Sequence, residues 1–210
     1  DMGFLPDIKR VLRHIPKPKQ TFFFSATMPA AIHALTREIL RSPASINLER
    51  QAAPASSVTQ AVYPVSQELK AGLLVALLKT SSIRDALVFT RTKHRANRLF
   101  KHLTREGISA ERIHGNRSQA QRTKALAGFK NGHYQVLVAT DIAARGIDVK
   151  VLGHVVNFDV PAVPDDYIHR VGRTGRAEAT GDALTFVSRE EGGDLARIER
   201  AVGKQIARVT

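Results

Sequence analysis

Two spacings of apolar residues alternate along this chain. In "TFFFSAT" (21–27), "ALVFTRT" (86–92), "SAERIHG" (109–115), "QVLVAT" (135–140), "HVVNFDV" (154–160) and "DALTFVS" (182–188), a short apolar run is bounded by polar or turn residues. That is the pattern of a buried strand. In "AIHALTREIL" (31–40), "ELKAGLLVALLKT" (68–80), "TKHRANRLFKHLTRE" (92–106) and "QAQRTKALAGFKNG" (119–132), apolar residues recur at steps of three and four, which gathers them on one face of a helix. Strand and helix alternate, so the expected fold class is α/β, a parallel sheet with right-handed crossovers and helices on both faces.

One segment interrupts the rhythm. "RQAAPASSVTQ", Arg50 to Gln60, is small, polar and proline-bearing, and reads as an interdomain linker. Before it stand only two strand candidates, "TFFFSAT" and the weaker "SINLE" (45–49), with two or three helices. These are too few for a sheet covered on both faces. Residues 1–49 are therefore expected to be the tail of a domain that begins upstream, 50–60 the linker, and 61–210 a second domain.

Composition narrows the partners. With 210 residues and 43% hydrophobic content the chain can bury a core, and its net charge of +13 points to a polyanion, nucleic acid or an anionic membrane surface. The longest apolar run, "LLVALL" (73–78), is far short of the ~20 residues of a membrane-spanning helix. Cysteine is absent, which rules out disulfides and thiolate metal sites and suits the cytosol. The chain opens on Asp1 and leaves an upstream targeting segment open.

The polar residues that follow the strands suggest where a ligand sits. Ser25 to Thr27, Thr90 to Thr92, His114 to Asn116, and Thr140 with Asp141 each follow an apolar run, at the carboxyl edge where open parallel sheets bind ligands. Capping of the next helix would account for any one of these groups, but not for the basic character of the whole edge. A further pattern lies in "DYIHRVGRTGRAEATG" (166–181), where Arg170, Arg173 and Arg176 interleave with Gly172 and Gly175. The spacing favours a helix face, yet each helical glycine costs about 1 kcal/mol against alanine. The glycines imply that another charged surface approaches this backbone closely.

"SAT" (25–27), "LVFTRTKHRANRL" (87–99), "IHGNRSQAQRTKALAGFKNG" (113–132), "VLVATDIAARGIDV" (136–149) and "YIHRVGRTGR" (167–176) resemble, in order and spacing, helicase motifs III, IV, the QxxR element, V and VI of the DEAD-box ATP-dependent RNA helicases. The bacterial RhlE-like branch is the most similar, and "DMGF" (1–4) resembles the residues after the DEAD tetrapeptide. The resemblance implies two RecA-like domains that close on ATP and single-stranded RNA, with this chain the end of the first and all of the second, in a cytoplasmic protein. No Gly-x4-Gly-Lys-Ser/Thr loop occurs in the sequence. ATP with its magnesium is expected to be held mainly by the missing N-terminal domain, and no metal ligand is assigned here. The chain alone is expected to be inactive.

The resemblance also implies roles. Arg173 and Arg176 are similar to the arginine finger, whose planar and permanent charge meets the transferring phosphoryl group. Gly146 and Asp148 resemble the residues that meet the nucleotide ribose, and a turn before the next strand is the plain alternative for them. Thr90, Arg91, Gly115, Gln119, Arg122 and Thr140 resemble the contacts to RNA phosphates, which position a strand without reading bases. Aromatic content is 6% with no Trp, so stacking readout is not expected and binding should be sequence-tolerant. Asp141, Arg145 and His169 resemble links between the ATP and RNA faces, with Ser25 and Thr27 their counterpart on the first domain; His169 could equally be a satisfied core histidine. A non-catalytic RNA-binding module and a DNA helicase of the same superfamily remain alternatives. The retained Arg173, Arg176 and Asp148 weigh against the first, and His169 at the head of "HRVGRTGR" against the second.

Overall fold

A computed structural model describes residues 5–25, 28, 30–47, 58–80, 83–144, 152–175 and 180–209. The chain divides into two compact units, Asp1–Glu49 and Arg50–Thr210.

In the smaller unit, α1 (Leu5–His14) carries Asp7 in its first turn and Arg13 and His14 in its last, matching the helix dipole. Its Lys9 pairs with Glu38 of α2 (Ala30–Ile39) at 2.7 Å. The strand expected in "TFFFSAT" is not formed over residues 21–25, nor is one formed over 45–47. A strand exists by pairing, and no strand is present in this unit among the described residues. Phe22 and Phe24 are 71% and 89% exposed, their rings stacked with centroids 6.4 Å apart.

The larger unit is built on seven parallel strands, β1 (Val58–Pro64), β2 (Ala86–Phe89), β3 (Ala110–Ile113), β4 (Val136–Ala139), β5 (His154–Asn157), β6 (Gly181–Val187) and β7 (Ala207–Arg208), in the order β3-β4-β2-β5-β6-β1-β7. Between them run α3 (Lys70–Thr80), α4 (Lys93–Arg105), α5 (Gln119–Lys130), the single turn α6 (Asp141–Ala144), α7 (Pro164–Val171) and α8 (Gly192–Val202), with a 3-10 turn at Arg189–Glu191. Strands β2 and β4 are buried at every position, as an interior parallel strand covered on both faces requires.

Successive residues of these strands serve opposite faces of the sheet. Val88, Val138, Val156 and Phe186 pack with Leu74 and Leu78 of α3 and Leu99 and Leu103 of α4. Leu87, Leu137 and Val155 pack with Ala125 and Phe129 of α5, and Val62, Ala183 and Val187 pack with Tyr167 and Val171 of α7 and Leu195 and Ile198 of α8. Each such large side chain contributes about 1.5–3 kcal/mol by leaving water. Val58 to Gln60, expected to end the linker, instead begin β1, pairing with Gly181 to Ala183. Tyr167 donates its hydroxyl to Oε1 of the buried Gln60 at 3.0 Å, while the Gln60 Nε2 has no hydrogen-bond partner among the described residues.

Candidate functional site

The carboxyl ends of four strands lie level. Phe89 of β2 is in register with Ala139 of β4 and Asn157 of β5, and Ala139 with Ile113 of β3. Thr90, Thr140, Phe158 and His114, one residue further on, therefore come out along one edge of the larger unit. Three of the four polar groups singled out in the sequence meet there. The fourth, at Ser25, belongs to the smaller unit and follows no strand among the described residues.

Each residue at this edge is held differently. Thr90 is fully buried, its N–H donating to the Ala139 carbonyl at 2.9 Å. Arg91 is 48% exposed; its backbone N–H donates to Asp159 Oδ2 at 2.8 Å, its guanidinium donates to the Val160 carbonyl at 3.1 Å, and Glu191 and Asp194 lie at 3.6 and 3.5 Å. Thr92 does cap α4, accepting from the Arg95 N–H at 3.2 Å. Gly115 faces open space, since an added Cβ would meet nothing within 4 Å. Ser118 and Gln121 form a capping box at the start of α5, and Arg122 donates to Gln119 Oε1 at 3.4 Å. Thr140 is half-buried, and its carbonyl accepts the N–H groups of Ala143 and Ala144 that start α6.

His114 is buried behind this edge. Its Nε2 lies 3.1 Å from Asn97 Oδ1, and its Nδ1 accepts the Asn116 N–H at 3.3 Å. Both contacts fit one neutral tautomer, with the proton on Nε2. Burial lowers its pKa, and the charges of Arg112, Arg117, Lys93 and His94 lower it further, which favours the neutral ring beside the turn at Gly115 and Asn116.

The second half of the site is a small hollow lined by Phe89, Asp141, Ala144, Asp166, His169, Arg170 and Arg173. It brings the expected Asp141, His169 and Arg173 together. Its organiser is Arg170, a member of the arginine pattern to which the resemblance assigns no role. Only 2% exposed, Arg170 grips Asp141 with two bonds of 2.6 and 2.8 Å, donates to Asn157 Oδ1 at 3.2 Å and to the Asp159 carbonyl at 2.7 Å, and lies over the Phe89 ring at 5.1 Å. It thus ties α7 to the ends of β2, β4 and β5. Its neighbours at one and three residues, Val171 and Tyr167, are buried apolar residues, which in the sequence marks position 170 as inward-facing.

The glycines of "HRVGRTGR" do not interrupt a helix. α7 stops at Val171 and Gly172 caps it, donating to the Ile168 carbonyl at 2.8 Å. Gly175 has φ +66°, a left-handed conformation that side chains disfavour. The expected helix face through Arg173 is therefore corrected to a turn, in which the Arg173 N–H donates to the Arg170 carbonyl at 3.0 Å. Next in line, Thr174 forms a parallel bridge with Leu152 and donates its hydroxyl to the Leu152 carbonyl. A Cβ on Gly181 would overlap the Thr174 side chain, so the chain leaves at Gly175 and returns to the same spot at Gly181.

A buried ion pair supports the edge from below. Lys70 is fully buried in α3, donating to the Phe158 and Phe186 carbonyls at 2.9 and 3.0 Å and to Glu191 Oε2. Glu191 also accepts the Val160 and Ser188 N–H groups at 3.2 and 3.0 Å. Desolvation lowers the Lys70 pKa, opposed by the Glu191 carboxylate. No motif marks Lys70, and its signal in the sequence is only that it shares one helix face with Leu74 and Leu78 at steps of four.

Thr27, Arg145, Gly146, Asp148 and Arg176 lie outside the described residues. Of the positions expected to meet ATP, Arg173 alone is described; it is half-buried in the hollow. Among the described residues no helix is long and apolar enough to cross a membrane.

Residues 69–178 match the family of the helicase conserved C-terminal domain. The DEAD-box ATP-dependent RNA helicase CshA of Geobacillus kaustophilus is 41% identical over 209 residues, 100% of this chain and 45% of that protein. CshA of Bacillus subtilis is 42% identical over 209 residues, 100% of this chain and 42% of its own length. The chain thus spans about half the length of these relatives. Among solved structures, S. cerevisiae Dbp5 bound to RNA and ADP BeF3 aligns over 100% of this chain and 56% of that one, with 31% identity and a TM-score of 0.88. The sheet order, the level carboxyl edge and these similarities lead to one assignment: the chain belongs to the DEAD-box RNA helicases and carries their helicase C-terminal domain.

Proposed function

We propose that the whole protein is a cytoplasmic ATP-dependent RNA helicase, in which this chain supplies the second RecA-like domain, residues 61–210, and the end of the first, residues 1–49. The observation that carries this reading is the Asp141–Arg170 pair, which joins two functions at one edge. On one side stand Thr90, Arg91, Gly115, Gln119, Arg122 and Thr140, suited to the phosphates of a single RNA strand. On the other stands the hollow with His169 and Arg173.

In this reading Arg173 and Arg176 stabilise charge that grows on the phosphoryl group, while Gly146 and Asp148 meet the ribose. Asp141, Arg145 and His169 couple the two ligands, with Ser25 and Thr27 as their counterpart on the first domain. Magnesium is held by carboxylates upstream of this chain. The named relatives support ATP use, and the RNA-bound Dbp5 supports the polyanion.

The test is RNA-stimulated ATP hydrolysis by the full-length protein. Arg173→Ala should lower the rate on the order of 10³-fold, and Arg173→Lys should not restore it, because an ammonium lacks the planar fork. RNA affinity and melting temperature should stay near wild type. A folded Arg173→Ala protein with near-normal turnover would refute the reading.

A further inference from the structure

Helix α4 carries Lys93, His94, Arg95, Arg98, Lys101, His102 and Arg105 and no acidic residue. Two of the lysines and arginines are committed locally, Lys93 to Asn116 at 3.2 Å and Arg95 to the buried Asp159 at 2.9 Å. Burial of Ala96, Leu99 and Leu103 fixes the rotation of the helix and leaves His94, Arg98, Lys101 and Arg105 exposed. Their steps of four, three and four place them in one line along the helix. At ~1.5 Å per residue the line is about 16 Å long.

Among the described residues none of the four has an ionic partner. The carboxylate after the helix, Glu106, pairs with Lys79 at 3.2 Å. Like charges three and four apart on a helix repel. The helix dipole accounts for cations in the last turn, such as Arg105, but not for Arg98 and Lys101 in the middle. The helix is also capped by Thr92, directly after Thr90 and Arg91, so the line starts at the carboxyl edge and descends the flank of the domain.

We propose that this line is a second track for the phosphate backbone of RNA, holding the part of the strand that extends beyond the carboxyl edge. The proposal rests on the RNA reading above. A row of point charges with no apolar anchor suits a regular polyanion better than a protein surface, whose interface core is rich in aromatic residues. No large hydrophobic residue of α4 is exposed.

The experiment uses the 210-residue chain with fluorescent oligouridylates of about 6 and about 20 nucleotides, titrated over a range of salt. The variant Arg98→Gln/Lys101→Gln/Arg105→Gln keeps helix-favouring residues and is checked by melting. For the longer RNA its slope of log affinity against log salt should be shallower by about 2, since each phosphate contact on a single strand contributes about 0.7. Binding of the shorter RNA should stay within about twofold, as expected of sites off its path. An unchanged slope on the longer RNA, an equal loss on both lengths, or no binding of the longer RNA by the wild-type chain would overturn the track. Competition by polyglutamate as strong as that by RNA would assign the line to an acidic protein segment instead. Arg122→Ala separates the two readings: it should weaken both lengths, and if it weakens neither while the triple variant weakens the longer, the edge reading fails and the track stands.

Discussion

Replacing Asp141 with alanine removes both acceptors of the Arg170 grip and leaves a guanidinium 2% exposed without a counter-ion. Hydrogen bonds to charged groups contribute about 1.5–3 kcal/mol each, and breaking a buried pair costs about 3–5 kcal/mol. Two features reduce the loss. Arg170 keeps Asn157 Oδ1, the Asp159 carbonyl and the Phe89 ring, and the Asp141 side chain is 27% exposed, so water can partly replace the carboxylate. The expected cost is about 3 kcal/mol, at the low end of the range for a buried pair. For a unit the size of Arg50–Thr210, each kcal/mol lowers the melting temperature by about 2–4 °C, so the melt should fall by about 6–12 °C. Asp141→Asn keeps one carbonyl acceptor but no charge and should lose roughly half as much. Circular dichroism melts of the three proteins at one pH decide the matter. A shift for Asp141→Ala within about 1 °C of wild type would refute the view that this pair locks α7 to the sheet.

His114 should make the fold acid-sensitive: its pKa is lowered in the folded chain, so the stability it contributes is fully present above the ordinary histidine value of 6.5 and is lost as pH falls through the folded value. Melting temperatures from pH 7.5 to 5 should fall less steeply in His114→Gln than in wild type, and parallel slopes would contradict the role given to the neutral ring. Lys70→Ala leaves Glu191 buried without its ammonium and should cost about 3–5 kcal/mol, read as a lower urea midpoint. Lys70→Met with Glu191→Leu should recover only part of that, because the Val160 and Ser188 N–H groups lose their acceptor; a wild-type midpoint for the single variant would disprove the assignment.

What could be read in the sequence was whatever depends on near neighbours. β2 and β4 announced themselves because interior strands are apolar on both faces, and the polar groups after them marked the binding edge. β1 was hidden because its inward positions include the polar Gln60, whose one side-chain bond comes from Tyr167, 107 residues away. "TFFFSAT" erred the other way: its composition favours a strand, but pairing needs a neighbour that a local pattern cannot supply. Arg170 and Lys70 share one cause. Each is a cation on an apolar helix face, and its meaning lies in partners such as Asp141 and Glu191, 29 and 121 residues distant.

The clasp between Thr174 and Gly181 separates two properties of the segment it closes. Because both ends are fixed, by the Leu152 bridge on one side and the β6 ladder on the other, the length of chain between them matters little to the fold. Doubling such a loop adds only about 0.6 kcal/mol of closure entropy. Residues added between these two anchors should therefore leave the sheet's strength unchanged. At this place length is uncoupled from strength, and a variant lengthened there would melt like its parent.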